Sequence, residues 1–251
     1  MDRLSGKIAL ITGSSSGIGR GVALGFAREG ADVVVNYPSS HERAAADAVV
    51  AEIESVGRRA ISVEADVAVA DDVERLVTTA EQTFGRIDIL VNNAGIAHTA
   101  PLEAIPIDTW DRLIAVHLRS CFLTTRLVIR GMYARDYGRI INTASQLAYK
   151  GAPGLTHYTA AKGAIISFTR SLALEIGARN VNVNSVAPGA TFTPILADVP
   201  PDLLQAVRQA IPKGRIAEVA DIVPSYIFLA SEDARHIQGQ CLSPNGGDVF
   251  L

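Results

Sequence analysis

Ile8-Ala9-Leu10-Ile11-Thr12-Gly13-Ser14-Ser15-Ser16-Gly17-Ile18-Gly19 joins four apolar residues to a glycine- and serine-rich bend, and residues 20–29 continue as a helix-like stretch. A short β-branched run reads as a buried strand, and glycines between strand and helix let the backbone turn sharply and approach a ligand closely. The first N–H groups of such a helix lack intrahelical partners and suit a pyrophosphate. Three residues separate Gly13 from Gly17 and one separates Gly17 from Gly19, so the spacing is not the common G-x-G-x-x-G. A glycine turn also occurs as a plain strand-to-helix connection, and the rest of the chain decides between the two.

Working outward, the alternation repeats. Residues 8–12, 32–36, 60–64, 87–92, 139–143, 181–186 and 240–243 are predicted strands, with amphipathic helical stretches between them. This pattern predicts a single α/β domain over residues 1–251: a doubly wound Rossmann fold with a mostly parallel seven-stranded sheet and ligands beyond the strand C-termini. Gly13, Asp66, Asn92 and Ser145 fall at those ends. At 251 residues and 48% hydrophobic, the chain can bury one substantial core. Its net charge of -3 and lack of a basic run exclude nucleic acid and membrane surface as partners, and no stretch approaches the ~20 apolar residues of a membrane span. Residues 1–7 are too polar for a secretory leader, and Cys121 and Cys241 form neither a disulfide framework nor a metal set. The expectation is a cytoplasmic protein without a metal.

Tyr158 and Lys162 stand one helical turn apart, and Ser145 precedes the tyrosine by thirteen residues. An ammonium fixed one turn away favours the phenolate and is expected to draw the tyrosine pKa down toward working pH. The pair then forms a general acid/base. Ser145 has no histidine or carboxylate motif that would make it a nucleophile.

The glycine loop and this set resemble the short-chain dehydrogenase/reductase family, of the single-domain type of roughly 250 residues. The resemblance runs from Lys7 to Gly247. Asp66-Val67 follows the third predicted strand, Asn92-Asn93-Ala94-Gly95 the fourth and Pro188-Gly189 the sixth, with Thr193 beyond it and Asn245-Gly246-Gly247 near the end. It implies reversible, NAD(P)(H)-dependent hydride transfer at a carbonyl or secondary alcohol carbon of a small molecule, and relatives acting on 3-oxoacyl thioesters, sugars and small alcohols. In these roles Tyr158 moves the proton, Lys162 serves both the tyrosine and the nicotinamide ribose, and Ser145 holds the substrate oxygen. Gly13, Ser14, Ser15, Ser16, Gly17, Ile18 and Gly19 would cradle the pyrophosphate. Asp66 and Val67 would meet the adenine, Asn93, Ala94 and Gly95 the adenosine ribose, and Pro188, Gly189, Thr191 and Thr193 the nicotinamide end. His117 takes the place of an asparagine that anchors a water relay behind the lysine. A histidine titrates near pH ~6.5, so either the relay acquires its own pH dependence or His117 is a tolerated helix residue without kinetic effect.

Cofactor choice is read at the end of the second strand. Asn36 is neutral where an aspartate would repel a 2′-phosphate, and Ser39, Ser40 and Arg43 could bind one, which favours NADP(H) and leaves NAD(H) possible. Against this, Ser16 stands where phosphate-preferring relatives often carry an arginine, and Ser40 could instead cap the following helix. Residues 190–215 are expected to form a substrate lid, with an exit about two residues shorter than in relatives. Leu147, Ala148, Tyr149, Leu155 and His157 are expected on the opposite wall. Apolar residues on several faces of the helices predicted over residues 109–134 and 158–177 point to a homotetramer. Three alternatives are weighed. A non-catalytic nucleotide sensor would not need the intact Tyr/Lys pair, an extended epimerase or dehydratase would need about 100 further residues, and an enoyl reductase would space Tyr and Lys by seven.

Overall fold

Side chains of a strand alternate between two faces, and in β1 (Ile8–Ile11) both faces are apolar and buried. The computed structural model describes residues 2–196 and 199–250. With β1, the strands β2 (Asp32–Tyr37), β3 (Ala60–Glu64), β4 (Ile89–Asn92), β5 (Gly138–Thr143), β6 (Val181–Val186) and β7 (Cys241–Leu242) form one sheet in the order β3-β2-β1-β4-β5-β6-β7. Every pairing is parallel, so the expected fold class holds with a wholly rather than mostly parallel ladder. The order reverses beside β1, where β4 lies next to it. A crevice opens at such a switch point beyond the strand C-termini.

The helices are α1 (Gly17–Arg28), α2 (Arg43–Ser55), α3 (Ala70–Phe84), α4 (Ile107–Ile114), α5 (Ser120–Arg135), α6 (Leu147–Lys150), α7 (Thr156–Ile176), α8 (Pro201–Ala210) and α9 (Val219–Ala230). Period-two alternation sorts the strands onto two cores. Ala9, Ile11, Val33, Val35, Ile89 and Val91 pack with α1, α2 and α9, whereas Leu10, Val34 and Leu90 pack with α3, α5 and α7. The stretch expected as one helix from residue 109 onward is α4 and α5 joined by a π-helical turn, Ala115–Arg119. Such turns widen a helix by one residue and often mark functional sites. His117 lies in this one. Among the described residues no helix is long and apolar enough to cross a membrane.

Candidate active site

The glycine loop after β1 is built to bring backbone close to backbone. Gly13 has φ +60, and a Cβ there would stand 2.8 Å from Ala94 Cα; one on Gly19 would stand 2.2 Å from the Gly13 carbonyl oxygen. Any larger residue would force the loop apart. Asn93 donates through Nδ2 to the carbonyl oxygens of Thr12 and Gly13, both at 3.0 Å. The Thr12 hydroxyl in turn accepts from Asn93 N at 2.9 Å and Ala94 N at 3.0 Å. The loops after β1 and β4 are thus one braced unit. Ser16, at the N-cap of α1, makes no side-chain cap, and no acidic residue occupies the first turn. A helix start whose own first turn holds no carboxylate fits a phosphate, so this cradle suits a dinucleotide. Thr193 comes up against Gly17, placing the start of the lid over the loop.

Not every loop residue faces the ligand side. The Ser14 hydroxyl donates to Ile11 O at 2.8 Å and is fully buried. Ser15 bonds the carboxylate of Glu42, a residue the sequence reading passed over. Val67 is buried in a small apolar cluster with Val73, Val116 and Leu123. Asp66 accepts from Ala68 N at 3.0 Å and from the Arg112 guanidinium at 2.8 Å, and Arg119 donates to Ala68 O at 2.7 Å. Two arginines near the π-helical turn therefore clasp the loop after β3. No local sequence pattern announces such long-range partners.

Asn36 departs most from expectation. It is 1% exposed, with Oδ1 accepting from Gly13 N at 3.1 Å and Nδ2 directed at the carbonyl oxygens of Ala65 (3.0 Å), Val63 and Tyr37 (both 3.3 Å). Its backbone is also tied to Ser14 in both directions. The side chain is a strut behind the glycine loop and not a reader of the ribose. Groups left to meet a ribose phosphate are Ser39, Ser40, Glu42 and Arg43; Arg43 is exposed and paired with Glu64 at 3.2 Å. Glu42, not Ser40, occupies the N-cap of α2.

At the other end of the crevice, β5 delivers Ser145 and the first turns of α7 deliver Tyr158 and Lys162. Lys162 is 4% exposed, its ammonium donating to Thr143 O at 2.7 Å and standing 5.7 Å from the Tyr158 ring centroid. Burial lowers its pKa to about 8. Burial also raises the Tyr158 phenol, while the Ser145 hydroxyl pulls the other way. The expected depression of the phenol by Lys162 is thus not found here. Loss of hydration is the larger effect on the phenol, ahead of the Ser145 hydrogen bond. Ser145 accepts from Leu147 N at 3.2 Å and lies within hydrogen-bonding reach of the Tyr158 phenol.

His117 is 2% exposed, with Nε2 lying 2.8 Å from Ile96 O and 3.1 Å from Ile96 N. Its ring meets Tyr158 edge-on at 5.4 Å, and its Nδ1 is buried without a partner. Burial, reinforced by the Lys162 charge, pushes its pKa to about 3. The imidazole stays neutral across working pH, so a titration near pH ~6.5 is not available to any relay through it.

The lid expected over residues 190–215 contains a turn at Pro194–Leu196 and α8, and Ala197 and Asp198 lie outside the described residues. It is hemmed at its ends by Phe192 N donating to Ala217 O at 2.9 Å and Ala217 N to Ala190 O at 3.0 Å. Thr191 donates to Gly189 O at 2.9 Å. On the other wall Leu147, Ala148 and Leu155 are half-buried and Tyr149 is exposed. His157, expected on that wall, is turned inward. It is fully buried, 3.2 Å from His98 and stacked on Trp110.

The family model described as enoyl-(acyl carrier protein) reductase matches residues 13–248. The chain is 41% identical to a 3-oxoacyl-(acyl-carrier-protein) reductase of Synechocystis sp. over 252 residues, covering 100% of both chains. It is 36% identical to the Thermotoga maritima reductase of the same name, over 99% of this chain and 100% of that one. Among solved structures, a blue fluorescent protein from a metagenomic library, in complex with NADPH, superposes with a TM-score of 0.93 at 36% identity, covering 99% of this chain and 100% of that one.

Proposed function

The chain belongs to the short-chain dehydrogenase/reductase family, NAD(P)-dependent oxidoreductases of carbonyl and alcohol carbons, and we propose that Tyr158 is the general acid/base of its reaction. The observation that carries this reading is the convergence of Ser145, Tyr158 and Lys162 at the crevice end opposite the glycine loop, with the Ser145 hydroxyl acting on the Tyr158 phenol. The four-residue spacing of Tyr158 and Lys162 favours carbonyl reduction over enoyl reduction.

When bound, the nicotinamide supplies or accepts the hydride, and the protein supplies orientation and a proton. The residues braced around Gly13 and Asn93 would hold the dinucleotide, and Gly189, Thr191 and Thr193 its nicotinamide end. Ser145 donates a hydrogen bond to the substrate oxygen and stabilises charge that develops there. Tyr158 donates its proton to that oxygen, or removes it when an alcohol is oxidised. A phenol with a raised pKa is well set to hold the proton before reduction. Lys162 spends one donor on Thr143 O and keeps two for the ribose hydroxyls and the phenol side. Neutral His117 holds the loop at Ile96 beside Tyr158 and takes no charge in the reaction.

NADP(H) is the preferred cofactor in this reading and NAD(H) the second. Arg43 pairs with Glu64 at the exposed surface, a pair that costs ~0–1 kcal/mol to release, and lies over the Tyr37 ring, with Ser39 and Ser40 just before it in the chain. The NADPH complex of the similar metagenomic protein points the same way. The substrate is a small molecule with a carbonyl or secondary alcohol beside an apolar wall. A homotetramer rests on fewer residues than the sequence suggested, because Ile165, Ile166 and Leu172 are buried within the protomer, whereas Phe122 and Leu174 are exposed. Reduced Cys121 and Cys241 suit the cytoplasm. The test is turnover of a panel of ketones and secondary alcohols with each nucleotide, followed by nicotinamide absorbance. Nucleotide binding with no turnover of any of them would favour the sensor.

A further inference from the structure

The last residues of the chain reach back to the strand end that carries Ser145. After β7, Asn245 pins a turn by accepting from Gly247 N at 2.8 Å and donating to Val249 O at 2.8 Å. The turn delivers Asp248 to the segment after β5. Asp248 Oδ2 accepts from Gln146 Nε2 and from Lys150 Nζ, both at 2.6 Å, and Oδ1 accepts from Lys150 Nζ at 2.7 Å. Its side chain is 6% exposed. Bonds this short to a nearly buried carboxylate are charge-assisted and strong.

Each partner leads to the candidate active site. Gln146 directly follows Ser145, is buried, and donates its backbone N–H to Pro188 O at 3.1 Å. A carboxylate can only accept, so Asp248 decides which end of the Gln146 amide faces it. The amide oxygen then points the other way, buried without a partner, 3.2 Å from where a Cβ on Gly189 would stand. Lys150 closes α6, which carries the wall residues Leu147 and Ala148. One carboxylate therefore ties the Ser145 bend, the α6 wall and the Pro188-Gly189 segment together.

We infer that Asp248 is a positioning residue that sets the geometry of Ser145 through Gln146 and Lys150. The inference rests on the reading of Ser145 as the hydroxyl that orients the substrate oxygen. Asp248→Ala is expected to lower kcat about ten-fold or more, since small misplacements of a reacting group are costly, while the Kd of the nicotinamide cofactor, read by fluorescence, stays within about two-fold. Asp248→Asn, which keeps one acceptor oxygen, should recover part of the loss. In a Ser145→Ala background the further effect of Asp248→Ala should shrink to less than about two-fold, because both changes act on one hydroxyl. Hydrogen exchange, which needs no substrate, should rise at the amides of residues 145–150 in Asp248→Ala while β1 remains protected. A loss that multiplies in full onto Ser145→Ala, a parallel loss of cofactor affinity, or unchanged exchange at residues 145–150 would each overturn the inference. If the wild type turns over no carbonyl or alcohol, the functional reading fails, and the exchange measurement still judges Asp248.

Discussion

Replacing Asn36 by aspartate tests whether this residue reads the cofactor or supports the loop. A residue facing the ribose would gain affinity for NAD(H) and lose it for NADP(H) on acquiring a carboxylate. The structure gives another outcome. Asn36 Nδ2 faces three carbonyl oxygens, and the Ala65 oxygen at 3.0 Å takes its best bond from this amide. A carboxylate cannot donate to them, and an ionised one would sit against their negative ends with 1% exposure. Protonation relieves that conflict and caps the cost. Holding an aspartate of ordinary pKa ~3.9 neutral at pH 7 costs about 4 kcal/mol, at 1.36 kcal/mol for each pH unit. For a domain of this size that corresponds to a fall in Tm of about 8–16 °C. The sign with pH is also set. The folded-state pKa of the new carboxyl is raised, so the deficit relative to wild type is smallest near pH ~4 and grows as pH rises toward the raised value. The assay is thermal unfolding of both proteins at several pH values, with titrations of NAD(H) and NADP(H). Both affinities should fall by a similar factor as the strut behind Gly13 loosens. A variant as stable as wild type whose preference moves toward NAD(H) would refute the buried placement of Asn36.

Tyr158→Phe removes one hydroxyl and should lower kcat at least ~100-fold with nucleotide binding nearly intact, and substantial retained turnover would eliminate the tyrosine mechanism. Lys162→Met should weaken both turnover and nucleotide affinity, yet cost little stability at pH 7. Burial of the lysine charge is worth about 3 kcal/mol against the fold, given a pKa moved from 10.5 to about 8, which offsets the bond lost at Thr143 O. Because the folded pKa is depressed, that penalty on the wild type is complete below pH 8 and is relieved as pH rises toward 10.5, so the offset should vanish in that window and leave the variant less stable than wild type; severe destabilisation already at pH 7 would contradict it. Glu42→Gln removes a carboxylate beside the cofactor turn and should raise the NADP(H)-to-NAD(H) preference by ~3–10-fold in kcat/KM, and an unmoved ratio would clear Glu42 of that role. Phe122→Glu should shift the light-scattering mass below that of the wild-type assembly, and a wild-type monomer at every concentration would remove the basis for a tetramer.

The alternation of short apolar runs with amphipathic stretches was sufficient for the order of elements and the doubly wound class, because burial on both faces leaves strands little else to be. Residues 8–19 already held the strand, the bend and the free helix start, and the four-residue spacing of Tyr158 and Lys162 already placed both on one helix face. These are local properties, set by periodicity and by backbone conformations that few residues other than glycine adopt. What needed the tertiary structure was direction and partnership. Asn36 and His157 look from sequence like residues facing a ligand, yet the fold turns each inward, the first onto Ala65 O and the second onto Trp110 and His98. Lys162 and Tyr158 are neighbours in the chain, but desolvation, which depends on everything packed around them, decides where they titrate. Glu42 on Ser15, Arg112 on Asp66 and Asp248 on Gln146 join residues 27, 46 and 102 positions apart. Contacts over such distances leave no periodic trace in a single sequence, because only the path of the folded chain brings the two ends together.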